Sequence, residues 1–241
     1  MIGAGTIVNV ISIIVGAAIG SFVKSGISER FKNIILQAVG LSVIMIGISG
    51  TLQGIYTVIE GGKLDRQFIM LMIFSLVIGG IIGEALNIEL KLEKMGKWFQ
   101  GKFAKEGGTF AKGFVTASLI FCVGAMAIVG ALEDGLSGNT ATLFAKSILD
   151  GTISIVLATT LGFGVAFSFI PVLIYQGSIT LLAGVIKPWL TPEVITQLSL
   201  VGSVLIMGIG INILEIVKIK VGNLLPAVFI PLIYYVIIQM I

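Results

Sequence analysis

GTISIVLATTLGFGVAFSFIPVLIYQGSITLLAGVI, residues 151–186, is a run of 36 residues without a single charge. Some 20 apolar residues in a helix are enough to cross the hydrocarbon of a bilayer, at about 1.5 Å of rise each. The run is therefore too long for one crossing and barely enough for two. Working outward, similar windows fall at 4–23, 34–56, 68–87, 110–131, 194–215 and 221–240, with the fifth and sixth segments sharing 150–187. Apolar residues make up 56% of the chain and charged residues 11%, with a mean hydropathy of +1.12. A soluble domain carries about twice that charge. The expected fold is an all-α polytopic membrane protein with seven to eight transmembrane segments, one of which is open to a re-entrant reading.

Pro171 lacks an amide donor and restricts the residue before it, while Gly162, Gly164 and Gly177 loosen the same region. Two short helices with a turn near Ser168–Pro171 is one reading of 150–187. A full crossing followed by a re-entrant half-helix is the other. Irregular backbone at membrane depth is tolerated only where protein or water satisfies its polar groups.

Basic residues orient the chain. With eight crossings, the connections after segments one, three, five and seven hold eleven Lys and Arg residues, against four on the other side. That bias expects the basic loops in the cytoplasm and both termini outside. A re-entrant sixth segment changes the count to ten against five and brings the C-terminus inside. The first segment lacks a basic leader and a cleavage site, and is expected to be retained.

The largest connection, IELKLEKMGKWFQGKFAKEG at 88–107, repeats apolar residues every three or four positions (Ile88, Leu92, Met95, Phe99, Phe103). It is expected to be an amphipathic helix on the cytoplasmic lipid surface, with Trp98 near the headgroups, although Gly96 and Gly101 weaken it. A regulatory or docking element is the alternative.

The chain echoes itself. GTIVNVISIIVGAAIG at 5–20 pairs with GTISIVLATTLGFGVA at 151–166, and SVIMIGI at 42–48 with SVLIMGI at 203–209. The offsets are 146 and 161, so extra length falls near 167–190. An internal duplication is expected, with 1–87 and 150–241 as repeat-like halves of a single transmembrane domain, and 108–149 as a central segment and loop. Many secondary transporters are built from two such halves.

Polar groups inside the runs are the candidates for a site, because hydrocarbon penalises them. Glu84 follows Gly79, Gly80 and Gly83 and is the first choice for binding a cation or carrying a proton. Asp134 and Asp150 lie near expected segment ends, where helix capping is the simpler reading. Asn9 and Asn212 lie deep in their segments, where an amide wants a partner on a neighbouring helix. Thr159, Thr160 and Gln176 are the remaining candidates, in the 154–178 stretch expected to line a pore or binding site. Gly16 and Gly20, and Gly79 and Gly83, form small-residue pairs that permit close packing within one chain or between copies. Gly124, Gly162, Gly164 and Pro171 complete the packing and helix-break positions.

Histidine is absent and Cys122 is the sole cysteine, so a histidine metal site or an internal disulfide is excluded. No Walker loop, dinucleotide fingerprint or nucleophile elbow occurs. No cofactor, no resident metal and no enzyme activity are expected. The expected partners are the bilayer, a small solute or ion and a second copy of the chain, not nucleic acid.

The block FVTASLIFCVGAMAIVGALEDGLSGNTATLFAKSILDGTISIVLA, residues 114–158, resembles the core of the DUF554 family of small bacterial membrane proteins. GTIVNVISIIVGAAIGSFV and GGIIGEALNIELKLEKMG are similar to the same family, so the likeness runs along the whole chain. It implies a multi-pass protein of the bacterial cytoplasmic membrane, in a family sometimes described as transporters. Glu84, Gly124, Asp134, Gly135, Asp150 and Gly151 match its recurrent positions in kind. Ala125 stands where the family pattern has proline, and Asn139 where it often has aspartate. A secondary transporter or permease, coupled to a proton or cation, is the leading functional expectation. A channel or a non-transporting scaffold is the alternative.

Overall fold

The computed structural model describes residues 2–24, 28–103, 109–122 and 125–240. In chain order, helices α1 (Ala4–Lys24) and α2 (Glu29–Ile55) precede a hairpin of β1 (Tyr56–Val58) and β2 (Leu64–Arg66). Helices α3 (Ile69–Leu86), α4 (Ile88–Phe103), α5 (Phe110–Cys122), α6 (Ala125–Ser137) and α7 (Ala141–Leu161) follow. A 3-10 segment, Phe163–Ser168, leads into α8 (Phe169–Ile186), then α9 (Pro192–Ile213), α10 (Val221–Leu224) and α11 (Ile230–Met240). Among the described residues, seven helical stretches are long and apolar enough to span a bilayer. The pair α5 and α6, bent by 62°, supplies an eighth if it is one broken span. The chain is an all-α polytopic membrane protein.

The helices are inside-out by the standards of a water-soluble fold. α1 exposes Ile7, Ile11, Val15 and Ile19 along one stripe and buries Thr6, Asn9, Ile13 and Ala17 on the other. The same is true of α8, which exposes Ile174, Leu181 and Val185 and buries Gln176 and Thr180. Lipid is as apolar as leucine, so the large aliphatics gain nothing by facing inward, and the polar groups gain a great deal.

The chain packs as two units. The first contains residues 1–39, 90–122 and 126–186; the second contains 40–89, 123–125 and 187–241. Each draws helices from both of the expected sequence halves.

In the first unit α1 and α7 run parallel in close contact. A side chain added at Gly16 would meet the Gly151 carbonyl oxygen at 2.3 Å, and one at Gly20 the Ile155 oxygen at 2.2 Å. α5 begins at the other end of this pair, where the Thr109 hydroxyl donates to Leu161 O (2.7 Å). Gly164 sits against Phe110, whose carbonyl oxygen would be 2.0 Å from an added Cβ. α6 ends beside the start of α1, where Asp134 accepts from the Gly3 and Gly5 amides. α4 lies along this unit through Gly96, which faces Ala111 and Phe114, and through Phe99, 5.7 Å from the Phe114 ring and 5.3 Å from that of Phe167. The residue that weakens this helix by propensity is the one that lets it approach.

In the second unit α2 and α9 run antiparallel, with Gly47 on Met207, Gly50 on Ser203 and Gly54 on Leu200. α3 lies against α10 and the 3-10 turn Leu225–Phe229; a Cβ on Gly83 would fall 1.8 Å from Asn223 O, and one on Gly79 2.2 Å from Ala227. Both small-residue pairs are therefore occupied inside the chain. The hairpin, an exception to an otherwise helical fold, pairs Tyr56 with Arg66 and Val58 with Leu64, and turns through Gly61 and Gly62 at φ 83° and 73°. Only glycine visits that region freely.

Three expectations are corrected here. The fifth segment starts at Ala141, not at 150, so Asp150 is mid-helix and not an N-cap. The reason is that Lys146 and Asp150 pair on one helix face, and a search for uncharged windows stops at them. The break in 150–187 is at Gly162 (φ 79°, ψ −167°), not near Ser168–Pro171. Pro171 sits in the first turn of α8, where a missing amide costs no helical bond. Finally, the bent element is α5–α6 and not the sixth segment: Phe163–Trp189 is long enough to cross. Of the expected amphipathic segment, 88–103 is helical, and 104–107 lies outside the described residues, as does Gly124.

The two sequence echoes pack in opposite senses. α1 and α7 are parallel, whereas α2 and α9 are antiparallel. The packing by itself does not show the internal duplication.

Gly16→Val should destabilise the detergent-solubilised protein by about 1–3 kcal/mol, because the neighbouring backbone cannot withdraw. Gly184→Val, in a helix position with nothing within 4 Å of an added Cβ, should leave thermal unfolding unchanged. Fluorescence-monitored melting of the two variants compares them directly.

Candidate functional site

The polar core of the first unit is built from three helices. Asn9 of α1 donates through Nδ2 to Asp150 Oδ2 of α7 (3.0 Å) and to Gln176 Oε1 of α8 (3.3 Å). Lys146, one turn before Asp150, donates to the same carboxylate oxygen. Asn9 and Gln176 are 0% exposed, and Lys146 and Asp150 are 6% and 5% exposed. The 3.6-residue period puts Lys146, Asp150 and Ser154 on one face of α7, and the tight α1–α7 approach brings Asn9 within reach of that face.

This cluster is incompletely satisfied. Among the described residues, Asn9 Oδ1 and Gln176 Nε2 have no hydrogen-bond partner. Neither do the hydroxyls of Thr6, Ser154 and Thr180. Each hydroxyl lies one turn from a cluster member on the same helix: Thr6 from Asn9, Ser154 from Asp150, Thr180 from Gln176. Other buried hydroxyls of this unit fold back onto their own backbone, as Ser147 of α7 does on Leu143 O (2.7 Å) and Ser118 of α5 on Phe114 O (2.6 Å). A buried polar group without a partner costs about 1–3 kcal/mol. Among the described residues, five polar atoms on α1, α7 and α8 are thus left without a partner.

The end of α5 adjoins the cluster. The Phe121 ring centroid is 5.9 Å from Lys146 Nζ.

The remaining sequence candidates are distributed elsewhere. Asp134 is fully buried, but its two oxygens hold the Gly3 and Gly5 amides at 3.0 Å each, closing the N-terminus of α1. It satisfies orphan amides and favours the helix dipole. Thr159 and Thr160 donate to Val156 O and Leu157 O of their own helix. Asn212 holds Ile219 like a strand partner, accepting from its amide (2.8 Å) and donating to its carbonyl (2.7 Å). Glu84, in the second unit, has a side chain 54% exposed, paired with Lys220 (2.6 Å) and bonded by Asn223 (2.6 Å). The Glu84 carboxylate holds the Lys220 ammonium above its ordinary pKa. The structure thus unites Asn9, Asp150 and Gln176, and leaves Glu84, Asp134, Asn212, Thr159 and Thr160 outside that cluster.

Lys146 is the residue that sequence reasoning missed. Its signal was the Lys-x-x-x-Asp spacing of Lys146-Ser-Ile-Leu-Asp150, which puts two opposite charges one turn apart. A second polar feature, in the second unit, also escaped notice. It is a 360 Å³ cavity lined by Gln53, Gln67, Thr196 and Ser199 together with Gly50, Gly54 and Ile195.

Residues 4–236 match the family described as "Protein of unknown function (DUF554)". The chain belongs to the DUF554 family. Within the comparisons, it is 38% identical over 227 residues to "Uncharacterized membrane protein YdfK" of Bacillus subtilis (strain 168), covering 94% of this chain and 93% of the relative. It is 28% identical over 230 residues to "Uncharacterized protein YqgA" of Escherichia coli (strain K12), covering 92% of each. No solved structure matches the chain. This DUF554 member is a membrane protein with several apolar helices, and its buried charges are the groups that its lipid setting makes most costly.

Breaking a buried ion pair by removing one partner costs about 3–5 kcal/mol, whereas replacing both is often close to neutral. Asp150→Asn alone should therefore lower the melting temperature markedly, and Lys146→Gln with Asp150→Asn should recover most of the loss. Glu84→Gln, at an exposed pair, should leave the melt unchanged in high salt.

Proposed function

We propose that this protein is a secondary transporter or permease for a small solute or ion, coupled to a proton or cation through Asp150. The observation that carries the reading is the buried cluster of Asn9, Lys146, Asp150 and Gln176, where three helices meet. Ionisable side chains inside a membrane domain are expensive, and they concentrate on pathways and coupling sites. A purely structural contact would be served as well or better by aliphatic packing. Transporter sites also gather at helix breaks, where backbone groups become available to a ligand. The Gly162 break supplies such a place in the same unit. The membrane we assign is the bacterial cytoplasmic one. Its support is that the two relatives come from bacteria and that bacterial outer-membrane spans are β-barrels.

The cluster makes Asp150 the first coupling candidate and Glu84 a lesser one, because Glu84 keeps an exposed counter-charge. Purified protein in liposomes should accumulate solute in response to an imposed proton or sodium gradient. Asp150→Asn should reduce that uptake by about tenfold or more, an effect on the order of 1.4 kcal/mol or larger in the rate-limiting barrier. Glu84→Gln should reduce it less. Conductance in planar bilayers without gradient coupling would replace the carrier with a channel. The absence of flux across a broad solute panel would remove the transport reading.

A further inference from the structure

The Lys146–Asp150 pair has a property that narrows the ligand. Its charges cancel, both are buried, and both come from one helix face. A ligand with a single charge can engage only one of the two groups. It then displaces the other, which is left charged and unpaired in a low-dielectric interior at a cost of several kcal/mol. A ligand carrying one charge of each sign avoids that penalty. Its carboxylate takes the place of Asp150 on the Lys146 ammonium, and its ammonium takes the place of Lys146 on Asp150. Two ion pairs form as one is broken, and no proton moves.

We propose that this cluster is the binding site for a small zwitterion of the amino-acid class, with Lys146 and Asp150 as its two charge-reading groups. The inference rests on the transport reading and names the solute. Three observations support it. The first is the joint burial of the pair with Asn9 and Gln176, neither of which is exposed. The second is the mixed inventory of unpartnered atoms around the pair: an acceptor in Asn9 Oδ1, a donor in Gln176 Nε2, and the hydroxyls of Ser154, Thr6 and Thr180. A bare cation would use only the oxygens and a bare anion only the donors. An ammonium and a carboxylate together use both kinds. The third is the reach of Lys146, whose flexible four-carbon stem lets the ammonium leave Asp150 without moving the backbone. The ammonium lies 5.9 Å from the Phe121 ring centroid.

A matched set of probes tests the idea on the full-length protein in nanodiscs. Radiolabelled free L-alanine is competed with propionate, which lacks the amine, and with ethylamine, which lacks the carboxylate. Propionamide, which has neither charge, completes the set, and other small amino acids with their matched acids and amines extend it. The wild-type protein should bind a zwitterion at least about tenfold more tightly than either singly charged analogue, the factor that 1.4 kcal/mol of unpaired-charge cost sets. Asp150→Asn should turn the preference toward the acid, and Lys146→Gln toward the amine. If either single variant fails to fold, the neutral Lys146→Gln/Asp150→Asn variant should prefer propionamide. A purely structural ion pair predicts no such exchange of preference. Acids or amines competing as well as amino acids in the wild type would overturn the proposal, as would preferences that the substitutions leave unchanged. Coupled flux of some other solute, with no amino acid bound, would overturn it while leaving transport intact. Charge-exchanged binding without flux would keep the site and remove transport.

Discussion

The rest of the structure depends on the pairing of Asn9, on α1, with Asp150, on α7. In hydrocarbon a buried amide or carboxylate must find its partner within the protein, and here each finds it on the other helix. That contact requires the two backbones to lie unusually close. Gly16, Gly20 and Gly151 provide the approach, and the aliphatic side chains are left to face outward. Two kinds of residue that look unrelated in the sequence, small and polar, are thus parts of one interface. The small ones remove volume so that the polar ones can meet.

The same logic explains why the first unit has bends where it does. α7 cannot continue past Leu161, because Gly162 turns the chain into the left-handed half of conformational space. The 3-10 segment that follows is covered by Phe110, Phe163 and Phe167, whose rings stand 5.2 to 5.9 Å apart. Its irregular backbone is shielded by aromatics and by Thr109, whose hydroxyl takes up the Leu161 carbonyl. Only then does α8 return along α1 and bring Gln176 level with Asn9. The break is a condition for the cluster, since a straight continuation of α7 would carry Gln176 away from Asn9.

Much of this was legible in the sequence, and the limits are physical. Lipid leaves a plain record in long uncharged runs, so the spans at 4–23, 34–56 and 68–87 could be read almost to the residue. The record fails where charge cancels inside a helix. Lys146 and Asp150 are two charges to a window count but nearly one neutral unit to the membrane, and the window therefore began α7 nine residues late. Asp150 was then assigned to a helix end, where an acid is ordinary, and Glu84, with no visible partner, drew the attention instead. Its partner, Lys220, is 136 positions away, and no local pattern reports a pair of that separation. Asn212 and Asp134 show the same limit, since each completes hydrogen bonding for backbone that a sequence leaves unspecified. Proline misled for a related reason. Its restriction is real, but in the first turn of α8 it is harmless, and the glycine nine residues earlier decides the chain direction.

The buried pair also accounts for the asymmetry between the two units. In the second unit the acids stand at the edge: Glu84 meets Lys220, and Glu89 takes the Gly222 amide at 3.1 Å, at the start of α10. Those bonds fix helix ends at a surface, where water can replace either partner at small cost. In the first unit both groups are buried away from water, so Lys146 and Asp150 must satisfy each other. A buried neutral pair flanked by unpartnered amides and hydroxyls is strained in its hydrogen bonding while balanced in its charge. It is this coincidence of balanced charge and orphan polar atoms, in one buried place, on which the proposed binding site rests.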